Sequence, residues 1–234
     1  METELPFTPL PNFYGRADIL ESILTIMHPA ISEKDQLCRR TVVVLQGMGG
    51  MGKTQIAFEY VRRNKEDYTT VFWVDVSNPS TIDASGRRIM DRLISHYAKK
   101  YPGQQKFGSI ATDLQIPGQV NSSGELTGNA AKSPWPCVQK WMARDANTGW
   151  CLVVDGINDE TDGDRMLELL PACAHGHIIA TSRVRVADFE LIEIAELEKQ
   201  SSVKLLLESQ SKPSTDKCTP LPSLSYSCIR CLTY

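Results

Sequence analysis

The stretch GMGGMGKT at residues 47–54 has residue types and spacing that suit the binding of a phosphate group. It satisfies the phosphate-loop pattern of Gly, four residues, Gly, Lys and Thr. Glycines allow unusual backbone angles and a close approach, so that backbone N–H groups and a helix N-terminus face the anion. Lys53 would reach the β- and γ-phosphates, and the Thr54 hydroxyl would bind Mg²⁺. The stretch predicts a nucleotide site formed by Gly47, Met48, Gly49, Gly50, Met51, Gly52, Lys53, Thr54 and Gln55.

A magnesium-binding acid is predicted on a separate strand. A phosphate loop needs a carboxylate from a neighbouring strand to hold the metal through water, and Asp155 ends the apolar run CLVVD. The next residue is Gly156, where many hydrolysing members of this class carry a second carboxylate that polarises the attacking water. Asp159 is a candidate substitute, although a solvated loop acid is the simpler interpretation. Hydrolysis is therefore in doubt.

Arg183 is a candidate for sensing the γ-phosphate. It follows the strand-like run HIIATS at 177–182, where side chains face the same crevice as Asp155. A guanidinium at this place could form charge-assisted, forked hydrogen bonds with a phosphate. Its position alone fits an ordinary surface arginine equally well.

The elements that must hold these residues alternate along the chain, which predicts an α/β domain with a mainly parallel sheet flanked by helices. Continuous apolar runs predict buried strands, and apolar residues at helical spacing predict the helices between them. The predicted strands are 41–46, 70–76, 150–155, 177–182 and an edge-like 189–197. One helix is predicted to start near Gly52 or Lys53, and a long helix from about Ile82 is predicted to end around residues 99–102. A further helix is predicted at 135–142, and a short one carries Val203, Leu206 and Leu207. A helix ahead of the sheet has one apolar face, formed by Ile19, Leu20, Ile23, Leu24 and Met27.

Two stretches interrupt this order. Residues 102–133 are rich in Gly, Ser, Gln and Asn and show no sustained period, which predicts a flexible insertion. Residues 209–234 are rich in Ser, Pro, Thr and Cys and are predicted not to fold with the core. The expected organisation is an N-terminal arm at 1–12, a nucleotide-binding core at 13–208 and a disordered or aberrant tail at 209–234.

Composition excludes several classes of protein. A chain of 234 residues with 41% hydrophobic content can bury one substantial core. A formal net charge of -3 and scattered Lys and Arg argue against nucleic-acid binding. Apolar runs fall far short of the roughly 20 residues that cross a bilayer, which argues against membrane insertion. The N-terminus lacks a secretory signal, so a cytoplasmic location is expected.

The seven cysteines are an odd number and show no regular disulfide framework. Free thiols of this kind are expected in a reducing compartment. Cys218, Cys228 and Cys231 suggest a metal site, but a fourth ligand is lacking nearby. Cys173, His175 and His177 also have ligand chemistry. The simpler interpretation is a loop entering a strand, because alternate side chains of a strand face opposite ways.

The order of the motifs resembles the NB-ARC domain, the nucleotide-binding switch of plant disease-resistance proteins, animal apoptosome ATPases and many fungal NOD-like receptors. The resemblance is carried by FYGRADIL (13–20), GMGGMGKT (47–54), VFWVDVS (71–77), CLVVDGIND (151–159) and GHIIATSR (176–183). It covers roughly residues 10–208 apart from the insertion, and it is strongest with the fungal branch.

The resemblance implies a three-layer P-loop NTPase fold of the signal-transduction ATPase (STAND) class, which holds ADP at rest and ATP when active. It implies that Tyr14, Gly15 and Arg16 lie near the adenine and ribose. It assigns Asp155 to Mg²⁺ and Arg183 to the γ-phosphate. The family's helical, winged-helix and sensor domains are not visible, so a product truncated after the nucleotide-binding core is expected.

The leading hypothesis is a switch module with slow or absent ATP hydrolysis, which signals in innate immunity through self-association. An active ATPase of the AAA+ type is the alternative from another class, and it would need a second Walker acid and an arginine finger. A further alternative is an inert or regulatory fragment that binds full-length relatives. A small-molecule kinase fits less well, because no lid-like arginine segment is visible.

Overall fold

A computed structural model describes residues 13–29, 40–101, 103, 106–186 and 189–210. The N-terminal arm, Cys38, the cysteines at 218, 228 and 231, and almost all of the predicted tail lie outside these ranges. The strands are β1 (Thr41–Gln46), β2 (Thr70–Asp75), β3 (Trp150–Ile157), β4 (His177–Ser182) and β5 (Glu190–Glu193). The helices are α1 (Ala17–Met27), α2 (Lys53–Arg63), α3 (Pro79–Lys100), α4 (Lys106–Asp113), α5 (Gly128–Lys132), α6 (Trp135–Met142), α7 (Glu160–Leu169) and α8 (Lys199–Gln210).

The strands form one parallel sheet in the order β2-β3-β4-β1-β5. Val44 of β1 pairs with Ala180 of β4, and Val154 of β3 pairs with Ala180 on the other side. All carboxyl ends therefore meet at one edge, where ligands of open α/β sheets bind. β5 is at the edge of the sheet, as predicted, although it is shorter than the sequence suggested.

Helices cover both faces of the sheet. On one face Val44, Phe72 and Leu152 pack with Leu93 of α3 and Trp141 of α6. The other face is covered by α1 and α2, and its cluster contains Val43, Leu45, Ile23, Ile56 and Tyr60. Continuous burial along β1 and β3 explains why their sequences are apolar at successive positions rather than alternating. The predicted three-layer α/β fold is confirmed.

Residues 102–133, predicted to be a flexible insertion, contain regular structure where the structure describes them. The segment contains α4, α5 and an antiparallel bridge between Val120 and Leu126. Ile110, Leu114 and Ile116 are almost fully buried in the core. These apolar residues are too few and too unevenly spaced to produce a visible period, yet they are enough to anchor the segment. The proposed boundaries of the core, 13–208, stay a prediction.

Helix α7 was also missed by sequence analysis. Its first turn is stabilised by Asp159, whose carboxylate accepts a hydrogen bond from the Asp162 N–H at 2.9 Å. Only Met166 and Leu169 provide buried apolar side chains, so the amphipathic signal is weak. Within the described ranges, the helices lack any stretch apolar and long enough to cross a bilayer.

Candidate functional site

The loop between β1 and α2 lies at the carboxyl edge of the sheet. Helix α2 begins at Lys53 after Gly52, whose φ of 84° lies in the left-handed region that favours glycine. A Cβ at Gly47 would lie 2.5 Å from the carbonyl oxygen of Ile194, so only glycine allows the backbone approach observed there. Met48 is 74% exposed, whereas Met51 packs against the core. The loop therefore has the conformation that its glycines predicted.

Lys53 lies folded against this loop. Its Nζ donates to the carbonyl oxygens of Gly47 at 2.7 Å and Met48 at 2.8 Å. Burial lowers the pKa of the Lys53 ammonium, the nearby Arg183 lowers it further, and Asp155 opposes the shift. Two cationic side chains beside a loop of backbone N–H groups favour the binding of an anion.

Thr54 and Asp155 are brought together, as the phosphate-loop prediction required. The Thr54 hydroxyl of α2 donates to Asp155 Oδ1 of β3 at 2.8 Å. The Thr181 hydroxyl of β4 donates to the same oxygen at 2.5 Å and accepts the Gly156 N–H at 3.1 Å. Burial raises the pKa of the Asp155 carboxyl, while the two threonine hydrogen bonds oppose the shift. A hydroxyl and a carboxylate are oxygen ligands that suit Mg²⁺, so these residues fit that ion.

Arg183 lies across the loop. Its backbone N–H donates to the Ile157 carbonyl at 2.8 Å, which fixes it directly after β4. A Cβ at Gly49 would lie 3.3 Å from Arg183 Cζ, so the guanidinium rests on the loop backbone. The side chain is exposed, as expected for a group that meets a ligand. The structure therefore places the Arg183 guanidinium beside the phosphate loop.

Tyr14, Gly15 and Arg16 precede α1, and Gly15 and Arg16 lie against the segment that follows β5. Gly15 and Arg16 have φ angles of 66° and 61°. Arg16 donates through Nη2 to the Ala195 carbonyl at 2.5 Å. The neighbouring Ile194 donates its N–H to Gln46 at 2.6 Å and contacts Gly47 through its carbonyl. The segment is thus connected to the start of the phosphate loop through residues 194 and 195.

The backbone conformation at position 156 explains why a glycine occurs there. Gly156 has a φ of 92°, and an added Cβ would lie 3.2 Å from Oδ1 of Asp75. A second acid at this position would therefore be strained and crowded. Asp159 does not replace it as a free loop acid, because its carboxylate caps α7. Asp75 is the functional candidate that sequence reasoning missed, although its place at the end of a predicted strand was visible.

The histidines considered as metal ligands have partners within the protein. His175 Nε2 lies 2.9 Å from the Met142 carbonyl, and His177 Nδ1 lies 3.0 Å from the Tyr68 hydroxyl. Cys173 Sγ lies 3.6 Å from the backbone oxygen of His175. Across the part of the chain that the structure describes, no group of three or more His, Cys, Asp or Glu residues is placed to hold a metal ion. These contacts are typical of a loop that packs where a strand begins.

A parallel sheet with a phosphate loop after β1, an acid near the carboxyl end of β3 and helices on both faces defines a P-loop NTPase domain. Residues 25–116 match the model of the NB-ARC domain. The chain is also 26% identical over 222 residues to a "Nucleotide-binding leucine-rich repeat (NLR)-like protein" of Hyaloscypha variabilis. That alignment covers 86% of this chain and 19% of the relative, so the chain spans about a fifth of the relative's length. The resemblance to NB-ARC is confirmed, and it implies nucleotide binding.

Proposed function

We propose that this chain is an ADP- and ATP-binding switch module of a NOD-like-receptor type signalling protein, with slow or absent ATP hydrolysis. One observation carries the proposal: Thr54 from the phosphate-loop helix is hydrogen-bonded to Asp155 from β3 at 2.8 Å. This bond joins the phosphate loop to the magnesium acid at the edge of the sheet where P-loop proteins bind nucleotide. The NB-ARC match supports the same function.

Each side chain has a task in this proposal. Lys53 would exchange its two loop carbonyls for the β- and γ-phosphates, and Arg183 would contact the γ-phosphate from across the loop. Thr54 and Asp155 would hold Mg²⁺, which supplies charge neutralisation between the phosphates. Thr181 keeps the Asp155 carboxylate oriented.

The adenine and ribose are assigned to the side of the loop lined by Tyr14, Gly15 and Arg16. Support comes from the link between Arg16 and Ala195, next to the residue that contacts Gly47. A nucleoside that enters between this segment and the loop would contact both the N-terminal segment and the start of α8. Binding there would connect the state of the nucleotide with elements at both ends of the described chain.

Slow hydrolysis is proposed because position 156 carries glycine in a left-handed conformation instead of a second acid. A switch benefits from slow turnover, since its signal lasts as long as its nucleotide state. The same proposal includes a cytoplasmic location, and self-association or binding to longer relatives as the route of signalling in innate immunity. Turnover above about 1 s⁻¹, the ordinary range for enzymes, would instead favour the AAA+-type ATPase.

The experiment compares the affinity of wild type and Lys53→Ala for a fluorescent ADP analogue, with and without Mg²⁺. Loss of a charge-assisted contact with phosphate costs about 1.5–3 kcal/mol, so binding should weaken roughly 10- to 100-fold. Lys65→Ala is the matched control, because Lys65 is an exposed lysine two residues beyond α2. Unchanged affinity in Lys53→Ala, with both variants folded, would refute the proposal.

A further inference from the structure

A second carboxylate lies beside Asp155, on the next strand. Asp75 ends β2 and is the register partner of Asp155 in β3. Neighbouring parallel strands lie about 4.8 Å apart, and paired residues face the same side of the sheet. The two side chains therefore lie beside each other at the same edge of the sheet. Their proximity is also visible in the charge of Asp75, which helps to raise the pKa of the Asp155 carboxyl.

The carboxylate of Asp75 lies where a side chain at position 156 would begin. Its Oδ1 is 3.2 Å from the place that a Cβ on Gly156 would take. Asp75 thus brings a carboxylate to the same region from β2, and the glycine at position 156 leaves room for it.

The Asp75 carboxylate is held in a defined orientation. Its Oδ1 accepts the Ser77 N–H at 2.9 Å, and its backbone carbonyl accepts the Thr81 hydroxyl of α3 at 2.9 Å. The Ser77 N–H is thus directed at one oxygen of this carboxylate. Oδ2 can therefore accept a hydrogen bond from a water molecule while Oδ1 keeps the side chain in place.

We propose that Asp75, acting from β2, is the carboxylate that polarises the attacking water in the slow hydrolysis proposed for this site, although position 156 carries no acid. The inference rests on the proposed binding of a nucleoside triphosphate. Asp75 accepts a proton from the attacking water as the water oxygen forms a bond with the γ-phosphorus. The bond from the γ-phosphorus to the β,γ-bridging oxygen breaks, and the diphosphate leaves with its electron pair. Asp75 then releases the proton to solvent, which leaves ADP and inorganic phosphate.

The test is single-turnover hydrolysis of ATP labelled at the γ-phosphate, with protein in excess, alongside the affinity for Mg²⁺ and a non-hydrolysable ATP analogue. Asp75→Asn keeps an oxygen that can accept the Ser77 N–H, so its thermal midpoint should match wild type. A general base contributes about 10²–10⁴-fold, so hydrolysis should fall roughly 100-fold while the affinity changes less than about three-fold. Asp145→Asn is the control, since it removes an exposed aspartate in the loop before β3. Lys53→Ala gives the background of contaminating activity.

Each other outcome overturns the inference in a recognisable way. Hydrolysis by Asp75→Asn at the wild-type rate would show that Asp75 does not activate water. Loss of analogue binding in Asp75→Asn would make Asp75 a binding residue instead. A wild-type chain that binds the analogue but does not exceed the Lys53→Ala background would refute the inference and leave the proposed switch intact. A wild-type chain that binds no analogue would refute the proposed function itself.

Discussion

Replacing Gly156 by alanine tests whether the backbone itself excludes a side chain directly after Asp155. At a φ of 92° an alanine is strained, at a cost of about 1–2 kcal/mol, and its Cβ would lie 3.2 Å from Asp75 Oδ1. We expect Gly156→Ala to lower the free energy of unfolding by about 1–2 kcal/mol. The carboxylate of Asp75 must also shift by a few tenths of an ångström to relieve the contact.

Gly163→Ala provides the matched control. Gly163 lies inside α7, and a Cβ there would meet nothing within 4 Å. Alanine in a helix interior is favoured over glycine by about 0.5–1 kcal/mol, so this variant should be more stable than wild type. The same change at the two positions should therefore differ by about 1.5–3 kcal/mol in unfolding free energy.

The assay is equilibrium unfolding in urea without nucleotide, because a bound ligand would add its own stabilisation. Tryptophan fluorescence reports on the transition, since the described tryptophans Trp73, Trp135, Trp141 and Trp150 are all buried. If Gly156→Ala were as stable as wild type, the backbone would tolerate a side chain there. The structural reason for the missing second acid would then be refuted.

Two further predictions concern the polar network and the opposite end of the sheet. Thr181→Val removes a hydroxyl that contacts both Asp155 and Gly156. The free energy of unfolding, measured in urea, should therefore fall by about 1–3 kcal/mol. A decrease below about 0.5 kcal/mol would contradict the importance of these hydrogen bonds. Burial, and to a smaller extent the charge of His28, lowers the pKa of His177 to about 4 in the folded protein. The stability that neutral His177 contributes should therefore be fully present above pH 6.5 and be lost as the pH falls through 4. The stability of His177→Gln should depend less on pH across this window, and an equally steep dependence would refute the role of His177.

The sequence was sufficient to predict the sheet and most of the phosphate site, because each of these has a local signal. Buried strands read as apolar runs, and the glycine, lysine and threonine spacing identifies the loop. The contact of Thr54 with Asp155 follows from the parallel order of the strands. The residues alone did not decide where the Arg183 side chain lies. Its position against Gly49 depends on the path of the chain after β4.

The missed features depend on contacts between distant residues. Ile110 and Leu126 are buried by residues far away along the chain. The local composition could not show these contacts and therefore suggested a flexible insertion. Asp75 is a functional candidate only because β2 pairs with β3 in a register that sets it beside Asp155. The positive φ of Gly156 could not be predicted either, because glycine next to a strand-ending acid is common in ordinary turns.

The central claim, that this chain holds an adenine nucleotide, is tested most directly by what the purified protein carries. The wild-type chain would be purified without added nucleotide, denatured, and the released small molecules identified and quantified by mass spectrometry. We expect ADP to be released at close to one molecule per chain. Folded protein that releases no nucleotide, and that also fails to take up ADP when Mg²⁺ and ADP are added, would contradict it.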